Sequence, residues 1–165
     1  MKSFDTLIMG MVEHDAGHPK LIQHFLKVYE FARLIGKAEH LEENSQFTLE
    51  TAAVVHDIGI LAAKRKYGSG AGKYQEQEGP AEAEKLLSGL GWPSAVIKRV
   101  VYLVGHHHTY TDIDGMDYQI LVEADFLVNL LENESSLDAK KTAYERIFKT
   151  ESGKKIFQML YPESV

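Results

Sequence analysis

The sequence predicts an all-α fold, a single-domain helical bundle of about six to eight helices, and three observations carry that reading. Apolar residues recur three and four positions apart in one segment after another, which is the spacing of a helix face. No stretch alternates apolar and polar residues for long enough to demand a strand. The 165 residues contain no internal repeat, low-complexity tract or linker, so one domain over 1–165 is expected, large enough to bury a core without staples.

The elements follow in order. Phe4, Leu7, Ile8, Met11 and Val12 mark a short amphipathic helix, broken by His14, Asp15, Gly17 and His18. Pro19 suits the first turn of a second helix, whose seam of Leu21, Phe25, Val28, Ala32 and Ile35 runs to Gly36. His24 lies one turn from Leu21 and from Val28 and so leans toward the core. A polar connector, KAEHLEENSQ, leads to TLETAAVVHDIG (Thr48–Gly59), read as a buried helix capped by Thr48, with Glu50 in its first turn and Gly59 at its exit. AAKRKYGSGAGKY (Ala62–Tyr74) is a glycine-rich, basic surface loop. It lacks the spacing of a phosphate-binding loop: Tyr67 replaces the first glycine, and Tyr74 stands where Ser or Thr is needed.

A helix over Gly79–Ser88 has Pro80 in its first turn. Another starts at Ser94, carries Val96, Val100, Leu103 and Val104 on one face, and runs into His106-His107-His108. Consecutive side chains on a helix diverge, so at most two of these histidines can share a site. A loop over Tyr110–Asp117 precedes the helix Tyr118–Leu131, whose stripe of Tyr118, Leu121, Val122, Val128 and Leu131 contains Asp125, with Asn129 one turn on. One or two helices over 138–161 close the fold.

Composition excludes several functions. Without cysteine there is no disulfide, thiolate zinc site or cysteine nucleophile. A net charge of -6 argues against a nucleic-acid polymer as partner, although a local basic loop or a metal can still attract a small anion. The N-terminal MKSFDTLIMGMVEHDAG is too soon acidic for a signal peptide, and no run approaches a membrane span, so no membrane partner and a cytoplasmic location are expected.

Polar groups on otherwise apolar faces point to the chemistry. His24, the adjacent His56-Asp57 and Asp125 lean into the core from three helices, and burying them is costly unless something compensates. A cation would, because neutral imidazole and ionised carboxylate are the states it binds. In HFLKVYEFA around His24, AAVVHDIG around the pair and VEADFLVNL around Asp125, the chain resembles the HD superfamily of metal-dependent phosphohydrolases over Pro19–Leu131. The resemblance implies a bundle of the HD-domain type, with His24, His56, Asp57 and Asp125 holding one divalent transition metal ion: manganese, iron, cobalt, nickel or zinc.

Two-metal members of that superfamily add a histidine just before the helix that begins here at Gly79, and this chain has KYQEQEGP there. One ion is therefore favoured, and a second would need Glu76, His106 and His107. The implied activity is hydrolysis of a phosphate ester, a nucleotide or small phosphorylated metabolite, by water activated at the metal. Asp57 would hold the water, and His106 or His107 would protonate the leaving group. Lys64, Lys66, Lys73 and Asn129 are the candidate substrate contacts, with Arg65 beside them. The competing readings are an iron-dependent diiron oxygenase on the same scaffold and a binding module that keeps the metal for stability alone. A homo-oligomer is compatible with all three.

Overall fold

Helices form at each apolar seam, and burial sets where they begin. The computed structural model describes residues 2–165, among which lie nine α-helices, a short 3-10 turn (Pro162–Ser164) and no strand. The helices are α1 (Phe4–His14), α2 (Pro19–Ala38), α3 (Glu43–Val55), α4 (Ile60–Tyr67), α5 (Gly72–Gly89), α6 (Ser94–Val104), α7 (Met116–Glu132), α8 (Leu137–Arg146) and α9 (Glu151–Leu160).

The central helix starts five residues earlier than the sequence indicated, at Glu43, with a largely exposed polar turn from which Phe47 packs on the core. Thr48 is therefore not its cap. It lies inside α3, where its hydroxyl donates back to the Asn44 carbonyl at 2.8 Å. Glu50 is buried in mid-helix and accepts from Gln46 Nε2 at 2.6 Å. Gly59 sits at the start of α4, beyond a tight turn that carries His56 and Asp57.

The supposed loop over Ala62–Tyr74 is mostly helix. α4 runs through Tyr67 and stops at Gly68, whose left-handed φ of 68° suits glycine. α5 begins at Gly72, which leaves Pro80 inside a helix and not in its first turn. Gln75, Gly79, Ala83 and Leu87 are buried four residues apart along α5. A glutamine and a glycine in that seam hide its periodicity from an apolar count.

α3 is the axis of the bundle. Every residue from Thr48 to Val55 is buried, because α1, α2, α6 and α7 all pack on it. Truncating a fully buried side chain such as Leu49 to alanine should cost about 2–5 kcal/mol. α2 lies between α3 and α7, α5 pairs with α4 and α6, and α9 closes on α7 and α2.

Two local devices fix the parts that carry the site. Gly59 and Gly79 let the turn after α3 and the middle of α5 meet backbone to backbone. A Cβ at Gly59 would lie 2.6 Å from Gly79 N and 2.7 Å from the Gln75 carbonyl oxygen. On α7, the buried Glu123 accepts from the Thr150 N–H at 2.9 Å and from its hydroxyl at 2.6 Å, so a carboxylate caps the start of α9.

Candidate metal centre

Four side chains from three elements converge in the interior. His24 comes from the second turn of α2, His56 and Asp57 from the turn ending α3, and Asp125 from α7. His24 Nε2 lies 3.2 Å from His56 Nε2, 3.2 Å from Asp57 Oδ2 and 3.1 Å from Asp125 Oδ1. His56 Nε2 is 3.4 Å from each of the same two carboxylate oxygens. His56 is wholly buried, and His24 and Asp125 nearly so.

The other side of each ligand is fixed. His24 Nδ1 donates to Glu132 Oε2 at 2.9 Å, and His56 Nδ1 donates to the Ala53 carbonyl at 2.7 Å. Asn129 Nδ2 donates to Asp125 Oδ1 at 2.8 Å. With both Nδ1 protons so committed, the two Nε2 atoms present bare lone pairs to one another. Such a pair needs a proton or a cation between its members.

Without a cation, protons do this work. Burial would lower the His24 pKa, but Asp125 and Asp57 outweigh it and raise it to about 10. His56 is likewise raised well above the ordinary imidazole value, against its burial, by Asp57 and Asp125. Burial would raise the Asp57 and Asp125 carboxyls, yet the surrounding histidines hold both below the usual carboxylate range. A divalent ion fits the same space. Ligand bonds of about 2.1 Å at octahedral or tetrahedral angles set ligand atoms about 3.0–3.4 Å apart. The spacings of the two imidazoles from each other and from each carboxylate fall in that range, and two imidazoles with two carboxylates suit a first-row transition metal.

A second donor group adjoins the first through Asp57. Asp57 Oδ1 faces His107 Nε2 at 3.2 Å, while His107 Nδ1 donates to the Val104 carbonyl at 2.9 Å. Ligand atoms of Asp57, His107 and His108 all lie within 4.8 Å of one another, as do those of His24, His56 and Asp57. Burial and neighbouring His107 push His108 down to about 4, so it is neutral near pH 7. Its tautomer is also set. Gln75 Nε2 donates to the Gly70 carbonyl at 2.7 Å, which leaves Gln75 Oε1 to accept from His108 Nε2 at 2.9 Å.

Other sequence candidates lie elsewhere. His106 turns to its own helix: its Nδ1 donates to the Tyr102 carbonyl at 2.7 Å and its ring stacks on Tyr102. Glu76 accepts from the His108 backbone N–H at 3.0 Å and from the Thr109 hydroxyl at 2.9 Å, which anchors the histidine turn to α5. The trio Glu76, His106 and His107 is therefore not assembled, and Asp57, His107 and His108 come together in its place. Lys66 pairs with Glu78 at 2.8 Å, Lys73 lies 4.7 Å over the Tyr74 ring, and Lys64 and Arg65 are exposed on α4.

Glu132 and His108 were not expected at the site, and Gln75 was noted only as standing in the stretch where a second-metal histidine would be. Glu132 follows Asp125 by seven residues, two helical turns along the same face, and that spacing was the available signal. Gln75 gave no signal in an apolar count. His108 was obscured by two neighbouring histidines.

No curated protein and no solved structure matches this chain. The sequence model described as HD domain matches residues 21–149, most of the chain, and takes in every helix that contributes to the metal centre. With its all-helical bundle and the His24, His56-Asp57 and Asp125 arrangement, the chain belongs to the HD domain family.

Proposed function

We propose that the protein is a metal-dependent hydrolase of a phosphate ester, acting on a nucleotide or a small phosphorylated metabolite. One observation carries the proposal: the His24 and His56 Nε2 atoms lie 3.2 Å apart, each is 3.1–3.4 Å from an oxygen of Asp57 and of Asp125, and both imidazoles are tied through Nδ1. A divalent ion held there supplies Lewis-acid charge for phosphoryl oxygens and acidifies water toward neutral pH.

The chain's own residues do the rest. Asp57 gives Oδ2 to the His24–His56 side and keeps Oδ1 toward His107, so one carboxylate can bind on one flank and accept a proton on the other. His107 Nε2, aimed at Asp57 by the Val104 carbonyl behind it, is placed to move that proton to a leaving oxygen. His108, neutral at pH 7, is suited to a hydrogen bond with substrate and not to an ion pair. Glu132 and Asn129 hold His24 and Asp125 in register.

The partner under this reading is a small phosphorylated molecule, neither a nucleic-acid polymer nor a membrane. No helix among the described residues is long and apolar enough to cross a membrane. Elemental analysis of protein purified without chelator, followed by phosphatase and phosphodiesterase assays with manganese, cobalt or nickel, tests the proposal. Bound metal with phosphate release lost in Asp57→Asn is expected; metal-loaded protein that cleaves no phosphate ester would overturn it.

A second reading rests on the Asp57, His107 and His108 group, which offers a second ion a place. It is an iron-dependent oxygenase, and it requires two irons per chain and a product that depends on oxygen. Turnover that persists under anaerobic conditions would exclude it.

A further inference from the structure

A cavity of about 460 Å³ opens beside the metal centre, bordered by Gln75, His108 and Asn129 on the inner side. Its volume lies in the range of small-molecule sites. Asn129 joins it directly to the ligand set, since the same amide donates to Asp125. The outer wall carries Tyr110 and Phe126, whose rings meet edge to face at 5.1 Å, and the amide of Asn133.

The charge of the lining is informative. None of its residues is a lysine, an arginine or an acid. Three basic side chains are committed elsewhere: Lys27 to Glu132 at 2.6 Å, Lys66 to Glu78, and Lys73 to the Tyr74 face. A chain of net charge -6 adds no general attraction for anions. Phosphate groups beyond the one at the metal would therefore meet amides and rings in place of cations. Amides that both donate and accept, beside two aromatic rings, suit a neutral body with a flat ring and hydrogen-bonding edges.

Resting on the phosphohydrolase reading, we infer that this cavity selects a phosphate monoester whose body is uncharged and ring-bearing, and that it discriminates against di- and triphosphates of the same body. Phe126 and Tyr110 hold the ring, while Asn133 and Asn129 read its polar edge. The chemistry that makes such a substrate is one that leaves a single phosphate on a neutral alcohol.

Two measurements on the metal-loaded full chain test this. The first compares kcat/KM for a nucleoside mono-, di- and triphosphate and for methyl phosphate. The second measures binding of the same mono- and triphosphate, and of the phosphate-free nucleoside, by calorimetry and thermal shift. The monophosphate should be cleaved and bound best, and the nucleoside alone should bind detectably. Phe126→Ala should narrow the preference for the nucleoside monophosphate over methyl phosphate. Asn133→Lys should raise the triphosphate-to-monophosphate ratio roughly fivefold, the scale of one exposed charge pair.

Preferred cleavage or binding of the triphosphate would overturn the inference and leave the phosphohydrolase reading standing. If no phosphate ester is cleaved, that reading falls. The binding comparison then decides the inference alone: tighter binding of the monophosphate, weakened by Phe126→Ala, supports it, and equal or weaker binding overturns it.

Discussion

At Asp57 the two carboxylate oxygens face different histidines, Oδ2 toward His24 and His56 and Oδ1 toward His107. Removing a donor should therefore act in graded ways. His56→Ala should abolish metal binding, whereas His40→Ala, at an exposed turn remote from the donor set, should leave metal content unchanged; metal analysis of the two purified variants checks this. Glu132→Gln leaves the four donors in place but weakens the acceptor behind His24 Nδ1. About a 10- to 100-fold loss of metal affinity is expected, the usual scale for such a partner.

The pKa shifts set a pH dependence at the same scale. His24 is raised from 6.5 to about 10 in the folded, metal-free protein. Its contribution to stability is thus fully present below 6.5 and is lost as pH rises through about 10. Asp57 and Asp125 are depressed, so theirs is present above the ordinary value of 3.8 and is lost as pH falls below it. Metal-free protein should be most stable between these limits. A cation must displace the imidazole protons, so loading at pH 7 should release protons and apparent affinity should rise with pH. Calorimetry in buffers of different ionisation enthalpy measures that release, and a buffer-independent heat would contradict it.

Among the elements, the crossing of the post-α3 turn with α5 is the tightest constraint near the site. Gly59 has an ordinary φ of -77°, so alanine there is a purely steric change. The atoms a Cβ would strike belong to the backbone of Gln75 and Gly79, which can yield only if α5 moves as a unit. Gly59→Ala should cost about 1–3 kcal/mol in denaturant unfolding, the range for overpacking. It should also loosen the Gln75–His108 contact, visible as a shift in the His108 ring resonances.

The same crossing shows how far sequence carried. α2 and α7 were legible because apolar seams framed His24 and Asp125, so both could be seen to lean into the core, as could the His56-Asp57 pair at the end of its apolar run. The resemblance to a known superfamily joined them into one site. α5 was half lost because its buried face uses glutamine and glycine, residues whose fit depends on what approaches them. His107 continues the α6 seam, one turn from Leu103 and Val104, and it is the buried one of the three histidines; which neighbour turns in with it was hidden. It depends on Tyr102, which engages His106, and on Gln75, 33 residues from His108.

For the molecule as a whole, an ion at the centre would join α2, the end of α3 and α7, three elements far apart in sequence. Chelation should therefore lower the melting temperature. Ligand at a hundredfold excess over its dissociation constant is worth about 2.7 kcal/mol, which is a shift of several degrees for a chain of this size. An unchanged melt after verified metal removal would show that the bundle stands without the ion.

Glu123 lies two residues before Asp125 on α7, and it holds the start of α9 through Thr150. The C-terminal helix thus acts as a brace on the far side of the helix that carries Asp125. Were the chain cut between α8 and α9 and the tail released, Glu123 would keep only its Gln119 donor, and α7 would lose its outer support. Damage at the edge of the fold would then be read out at its centre as escaping metal, before the remaining helices came apart.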